Sequence, residues 1–107
     1  MTKILFISPP RMSRDMMAAR VMAEARSAGV MIDIKTMTDR EGFIYLASDK
    51  CDAELIMLCP NLRFLINKNE GAELLKKLPL IVIPSSVFGS LDGAALLRTI
   101  SHAIEGC

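Results

Sequence analysis

Short apolar runs alternate along the chain with longer stretches of helical spacing. Residues 3–7 (KILFI) are apolar beyond the lysine, the pattern of a strand buried on both faces. Two prolines in residues 8–13 (SPPRMS) prevent helix throughout that segment. Ser13 is a suitable N-cap, and Asp15 falls in the first turn, where negative charge suits the dipole. From 14 to 28 the chain is rich in Ala, Met and Arg, all good helix formers. Met17, Val21, Met22, Ala25 and Ala28 recur there as a core-facing stripe, and Gly29 supplies the stop.

Residues 30–35 (VMIDIK) read as a second strand. Thr38 and Glu41 have capping-box spacing, which predicts a short helix over about 39–48. Residues 54–59 (ELIMLC) form a third strand ended by Pro60. A helix follows from about 62 to 78, weakened at Gly71, and residues 80–83 (LIVI) form a fourth strand between prolines. Asp92 caps a final helix to about 105, with Leu96, Leu97, Ile100, Ala103 and Ile104 on its buried side. Strand and helix thus alternate four times. Right-handed crossovers then give an α/β fold, a four-stranded parallel sheet flanked by helices on both faces. Ligands in such sheets bind outside the carboxyl ends of the strands, here residues 8–14, 36–41, 60–64 and 84–92.

Composition narrows the class. The 107 residues suit a single domain over 1–107, and a chain of this size buries roughly two thirds of its unfolded surface. A formal charge of +1 and five aromatic residues give no footprint for nucleic acid. No apolar run approaches the roughly 18 residues of a membrane span, so no membrane insertion is expected. Lys3 leads straight into a strand-like run, unlike a signal peptide, and a cytoplasmic location is expected. Cys51, Cys59 and Cys107 are odd in number and lack metal-ligand spacing, so neither a disulfide scaffold nor a metal site is expected, and no cofactor.

The loop after the first strand holds the most chemistry. It runs from a buried strand into a helix whose first N–H groups have no internal partner, a ready anion site. Ser8 stands at the strand's end, where a nucleophile would face such an anion. Arg11 and Arg14 add fixed positive charge suited to phosphate. Ser8-x5-Arg14 also has the spacing of a phosphatase phosphate loop with serine in the nucleophile's place. A polar helix start with two solvated arginines accounts for the same residues. Cys59 reads as a small buried hydrophobe, and its place at a strand end also makes it a substitute thiol near Ser8. Arg63, at the start of the third helix, suits either a phosphate or partner contact or a solvated face.

Four stretches carry a family resemblance. Lys3-Ile4-Leu5-Phe6-Ile7 followed by Ser8-Pro9-Pro10-Arg11-Met12-Ser13 resembles a strand followed by Cys-x-x-Gly-Met-Ser. Met57-Leu58-Cys59-Pro60-Asn61-Leu62-Arg63-Phe64 resembles a Leu-Gly-Pro-Gln-x-x-Tyr segment, and Leu80-Ile81-Val82-Ile83 a fourth strand. Phe88-Gly89-Ser90-Leu91-Asp92-Gly93 is similar to a Tyr-Gly-x-x-Asp-Gly turn. Together they resemble the IIB component of the bacterial phosphoenolpyruvate-dependent sugar phosphotransferase system (PTS), in its lactose/cellobiose/diacetylchitobiose branch. The fold implied is also similar to that of low-molecular-weight phosphatases.

The resemblance implies a phosphotransferase in sugar transport. A IIB takes a phosphoryl group from a histidine of the IIA protein, holds it on a cysteine, and passes it to sugar bound by the membrane IIC. Ser8 stands at the phosphocysteine position, and Pro9, Pro10, Arg11, Met12, Ser13 and Arg14 at the phosphate-binding loop, with Cys59, Asn61 and Arg63 nearby. The departures bear on activity. A serine hydroxyl is a weak nucleophile without an adjacent base, and this segment has no histidine. Pro9 and Pro10 remove two donors, and Arg11 replaces a glycine. Ser8 is either an engineered replacement or natural divergence, and the changes around it favour divergence. Two alternatives stand beside the carrier: a non-catalytic regulatory or binding module on the same fold, and a small phosphatase-like protein.

Overall fold

The computed structural model describes residues 2–9, 12–62 and 78–105, with Met12, Ser13 and Glu105 described by backbone alone. Among these residues eight elements follow one another: β1 (Thr2–Ile7), α1 (Met12–Ala28), β2 (Ile32–Met37), α2 (Asp39–Ala47), β3 (Leu55–Leu58), β4 (Leu80–Val82), α3 (Ser85–Ser90) and α4 (Gly93–Glu105). The strands pair in parallel in the order β2-β1-β3-β4. The expected parallel α/β sheet is therefore present. The chain goes to one side of β1 for β2 and returns to the other side for β3, so the order switches between β1 and β3.

Alternation along the strands sends side chains to two cores. Ile4 and Phe6 of β1 and Met57 of β3 meet Met17 and Val21 of α1 and Leu96 and Ile100 of α4. Leu5, Ile7, Ile56 and Leu58 project oppositely and meet Leu46 of α2. Helices cover both faces, which explains the unbroken apolar run of β1.

Several boundaries moved for local reasons. Helix α1 begins at Met12, so Ser13 is inside the first turn and is not the N-cap. Its other end is a Schellman motif: Val30 N–H donates to Ala25 O at 2.8 Å and Gly29 N–H to Arg26 O at 3.3 Å. Gly29 takes φ +72°, which a side chain would resist. Because that motif uses Gly29 and Val30, β2 begins at Ile32, two residues later than the apolar pattern suggests. Ala28 is exposed, and so is Ile104, 38% accessible near the end of α4. The capping box of α2 forms as its spacing predicts, with Thr38 Oγ1 accepting from Glu41 N–H at 3.2 Å. Asp92 Oδ1 accepts from Ala95 N–H at 3.0 Å and caps α4. Helix α3 has no counterpart in the periodicity. The helix expected over 62–78 lies largely outside the described residues, of which only a turn at 60–62 precedes the gap.

Helix α4 starts tight against α1. A Cβ on Gly93 would stand 2.8 Å from the carbonyl carbon and oxygen of Arg20, and backbone cannot step aside as a flexible side chain can. Intrinsic propensity favours alanine over glycine in a helix by about 1 kcal/mol. Overpacking typically costs about 1–3 kcal/mol. Gly93→Ala is expected to lower stability in urea unfolding, and a rise would show that the two helices separate freely here.

At the amino ends of the strands, a polar network ties the α2–β3 connection to the sheet. Lys3 Nζ lies 2.6 Å from Asp52 Oδ2, Tyr45 Oη donates to Asp52 Oδ1, and Asp52 N–H donates to Tyr45 Oη at 3.1 Å. Lys35 Nζ stands 4.9 Å from the centroid of the Tyr45 ring. The Lys3 hydrogen bond, then that of Tyr45, lowers the Asp52 carboxyl to about 2. A carboxyl depressed on folding stabilises above its unfolded value, about 3.9, and loses that contribution as pH falls through its folded value. The difference in melting temperature between the unaltered chain and Asp52→Asn should therefore shrink from pH 5 to below pH 2. A constant difference across that range would show that Asp52 carries no such linkage.

Candidate functional site

Ser8 directly follows β1, at the carboxyl end of the sheet and beside its switch point. Its N–H donates to Met37 O at 3.0 Å, binding it to the end of β2. On the other side, Cys59 N–H donates to Ile7 O at 3.0 Å. The register pairs Ile7 with Leu58, so Ser8 and Cys59 occupy the next positions on adjacent strands. Alternation gives them the face of Phe6 and Met57, toward α1. The expected nearness of Cys59 to Ser8 is thus a consequence of register.

Ser8 is 1% accessible, and Ser8 Oγ donates to Pro9 O at 3.2 Å. Among the described residues this hydroxyl donates to a carbonyl and not to a base. That carbonyl fixes the rotor but accepts no proton from it in any useful sense, so the hydroxyl keeps its ordinary weak nucleophilicity. Only a few residues separate Ser8 from Met12, the first residue of α1, whose leading N–H groups lack intrahelical acceptors. Pro10 and Arg11 lie outside the described residues, as does Arg63. Met12 and Ser13 are placed in the first turn of α1 by their backbone.

Arg14 follows in that turn. Its side chain is 17% accessible, and among the described residues its buried Nε has no hydrogen-bond partner. The Asp15 carboxylate lies 3.6 Å from Nε, too far for a hydrogen bond, and is itself well exposed. Asn61 lies exposed in the short turn after β3, where Leu62 N–H donates to Cys59 O at 2.9 Å. The structure therefore gathers Ser8, Pro9, the start of α1 and Cys59 at one end of the sheet, with Asn61 two residues beyond.

The neighbouring β2–α2 connection completes this end. Helix α2 approaches so closely that a Cβ on Gly42 would meet Ile7 side-chain atoms at 3.0 Å. Glu41 Oε1 accepts from Thr38 N–H at 3.1 Å and from Thr38 Oγ1 at 3.0 Å. The Thr38 backbone bond, followed by its hydroxyl, lowers the Glu41 carboxyl below its usual range, and the Arg14 charge adds to this. The capping spacing identifies Glu41 as a cap, but no local pattern in the sequence relates it to Arg14.

No family model matches the sequence, and no curated protein matches it. Solved structures do. The cellobiose-specific phosphotransferase IIB component protein from Borrelia burgdorferi superposes with a TM-score of 0.73 at 21% identity, covering 98% of this chain and 93% of that one. The chain has the IIB fold. The lactose-specific IIB component domain of the phosphoenolpyruvate:carbohydrate phosphotransferase system from Streptococcus pneumoniae gives 0.71 at 14% identity, over 95% and 96% of the two chains. At these identities the likeness concerns the fold, and it extends over nearly the whole chain. On this IIB fold His102 lies in the last turn of α4, a place suited to positive charge rather than to the carboxyl end of β1. Among the described residues no helix is long and apolar enough to cross a membrane, and no cluster of three or more His, Cys, Asp or Glu side chains is placed to hold a metal ion.

Proposed function

We propose that the chain is a sugar-specific IIB-type module of a phosphotransferase system, with its phosphoryl site at the β1–α1 loop and Ser8 at the phosphocysteine position. The observation that carries this reading is the placement of Ser8 on the IIB fold. It directly follows the central strand β1, beside the switch point and a few residues before the helix start that would receive an anion. On this reading Pro9, Pro10, Arg11, Met12, Ser13 and Arg14 are the phosphate-binding residues, with Cys59, Asn61 and Arg63 as nearby candidates, of which Pro10, Arg11 and Arg63 lie outside the described residues. A IIA protein is the phosphoryl donor and a membrane IIC the sugar-binding acceptor, with the module itself in the cytoplasm.

The site's work is positioning and charge stabilisation. Backbone donors at the head of α1 and the arginine charges oppose the phosphoryl negative charge. The serine limits the transfer. A phosphoserine ester is a poor onward donor, and among the described residues the hydroxyl bonds a carbonyl, so on this reading the unaltered chain keeps the docking and anion functions and lacks the relay. The serine at this position also supports a second reading, a regulatory module that binds IIA without accepting phosphate. Incubation with a phosphorylated IIA protein, followed by intact mass of the unaltered chain and of Ser8→Cys, separates these readings. Phosphoryl gain by Ser8→Cys supports a diverged carrier. Association with IIA regardless of its phosphorylation, with neither chain modified, supports the regulatory module. Hydrolysis of aryl phosphates by Ser8→Cys would instead favour a phosphatase-like protein.

A further inference from the structure

We propose that the chain associates with a second copy of itself along the open edge of β2. The two strands run antiparallel about Ile34, so that Asp33 of each copy faces Lys35 of the other. The inference is independent of the reading of the β1–α1 loop.

Among the described residues β2 is hydrogen-bonded on one side only, by β1. It is also the longer of the two sheet edges, six residues against three in β4. Thr2 N–H donates to Met31 O at 3.1 Å and Ser8 N–H to Met37 O at 3.0 Å. Met31, Asp33, Lys35 and Met37 thus turn their backbone groups toward β1, and alternation points those of Ile32, Ile34 and Thr36 outward. Such an unpaired row is a template for another strand.

Charge decides which strand fits. Asp33 and Lys35 are both exposed and stand on one face of the edge. A lysine within an open edge blunts pairing with an arbitrary strand, because its charge needs an answer from the incoming chain. A second copy supplies that answer in one antiparallel register. With Ile34 opposite its own copy, the two strands exchange backbone hydrogen bonds there and between Ile32 and Thr36. Asp33 then lies opposite Lys35 at the non-hydrogen-bonded positions, where side chains approach most closely. Centring the two-fold on Asp33 or on Lys35 would instead set two carboxylates or two ammonium groups against each other.

The pairing extends a row already in place. Lys3 Nζ lies 2.6 Å from Asp52, and Lys3 is the register partner of Asp33. Lys35 of the second copy continues that alternation of sign. In the same register Met31, 65% exposed in the single chain, faces Met37 of the second copy. On the other face Ile34, half-buried against the α1–α4 core, meets its own copy. The antiparallel arrangement sends the two carboxyl ends of β1 in opposite directions, so the association does not join the two β1–α1 loops.

Sedimentation equilibrium of the full chain, followed up to about 1 mM because an edge contact is small, should show a reversible monomer–dimer equilibrium. Exchange of the Ile34 N–H, read by NMR, should slow as the dimer fills, since that group faces outward in the single chain. Asp33→Lys and Lys35→Asp, each checked for its fold by circular dichroism, should each raise the dissociation constant about tenfold or more, because both symmetric pairs become repulsive. An equimolar mixture of the two variants should associate to within about threefold of the unaltered chain, an all-basic edge meeting an all-acidic one. A chain that stays monomeric throughout overturns the proposal. So does a dimer that survives both substitutions, a mixture no tighter than its components, or Ile34 exchange that concentration leaves unchanged. Binding of a synthetic strand of residues 31–37 by a chain that remains monomeric would also overturn it, and would leave the edge to an extended segment of another protein.

Discussion

Incubated with a phosphorylated IIA protein, the Ser8→Cys chain is expected to acquire one phosphoryl group, while the unaltered chain acquires none. The substitution exchanges one atom in a position already framed by three strand ends, so the backbone has little reason to move. What changes is the nucleophile. A thiol at a helix start loses its proton near neutral pH because the N-terminal dipole favours the anion. The serine hydroxyl stays protonated and donates to Pro9 O. General-base assistance contributes about 10²–10⁴ in rate, and among the described residues Ser8 Oγ meets a carbonyl and not a base. The acceptance rate should therefore rise at least about 100-fold in Ser8→Cys. The phosphoryl group leaves an imidazole nitrogen and joins the introduced sulfur, without an intervening base.

Reducing conditions are needed in that experiment, because Cys59 occupies the neighbouring register position and offers a thiol for oxidation. Two outcomes are informative in the negative. Phosphorylation of the unaltered chain at a comparable rate would show that the loop activates serine by a route the hydrogen bonds do not reveal. An unmodified but folded Ser8→Cys chain would remove the main support for a carrier and leave a binding module.

Much of this site follows from placing apolar runs in order. Once 3–7 and 54–59 are strands of a parallel sheet, their ends must lie at the same edge, which brings Ser8 and Cys59 together without any motif. Local chemistry is equally readable where a few consecutive residues decide it: the Thr38–Glu41 box, the Gly29 stop and the Asp92 cap all form. Competition between local devices is harder to read. Val30 looks like a strand residue, but its N–H closes the end of α1 and its side chain packs on the same core. Ser13 has a cap's chemistry, yet the helix begins one residue earlier, at Met12. Helix α3 is shorter than two turns and has no apolar period to detect. It ends on Leu91, held at φ +52° while its side chain packs against the α1–α4 core, so tertiary contact overrides local preference. Arg14 and Glu41 belong to different helices, and no local spacing relates the Arg14 charge to the Glu41 carboxyl that it helps to lower.

Phe6→Ala is expected to cost about 3–5 kcal/mol, Phe6 being the largest fully buried side chain among the described residues. Phe6 is fully buried on β1, flanked in register by Thr36 of β2 and Met57 of β3. It packs in the core that α1 and α4 close from above, with Met17 and Val21 of α1 among its members. Removing the ring leaves a cavity that these elements can only partly fill, because β1 is pinned by strands on both sides. A domain of this kind has about 5–15 kcal/mol in total, so the variant should sit near the edge of folding. Urea unfolding should show a large drop in midpoint with an unchanged slope, as expected when native stability alone is altered. Ile44→Ala provides the contrast: Ile44 is 68% exposed on α2, and its truncation should shift stability by less than about 0.5 kcal/mol. A loss below about 1.5 kcal/mol for Phe6→Ala would mean that α1 collapses into the vacated space. That outcome would also reach the proposed site, because Ser8 lies two residues on, on the same face, and the proposed anion would sit at the first turn of α1. The stiffness of this core is thus what holds the loop's donors in place, and a core loose enough to tolerate Phe6→Ala should also bind phosphate less well.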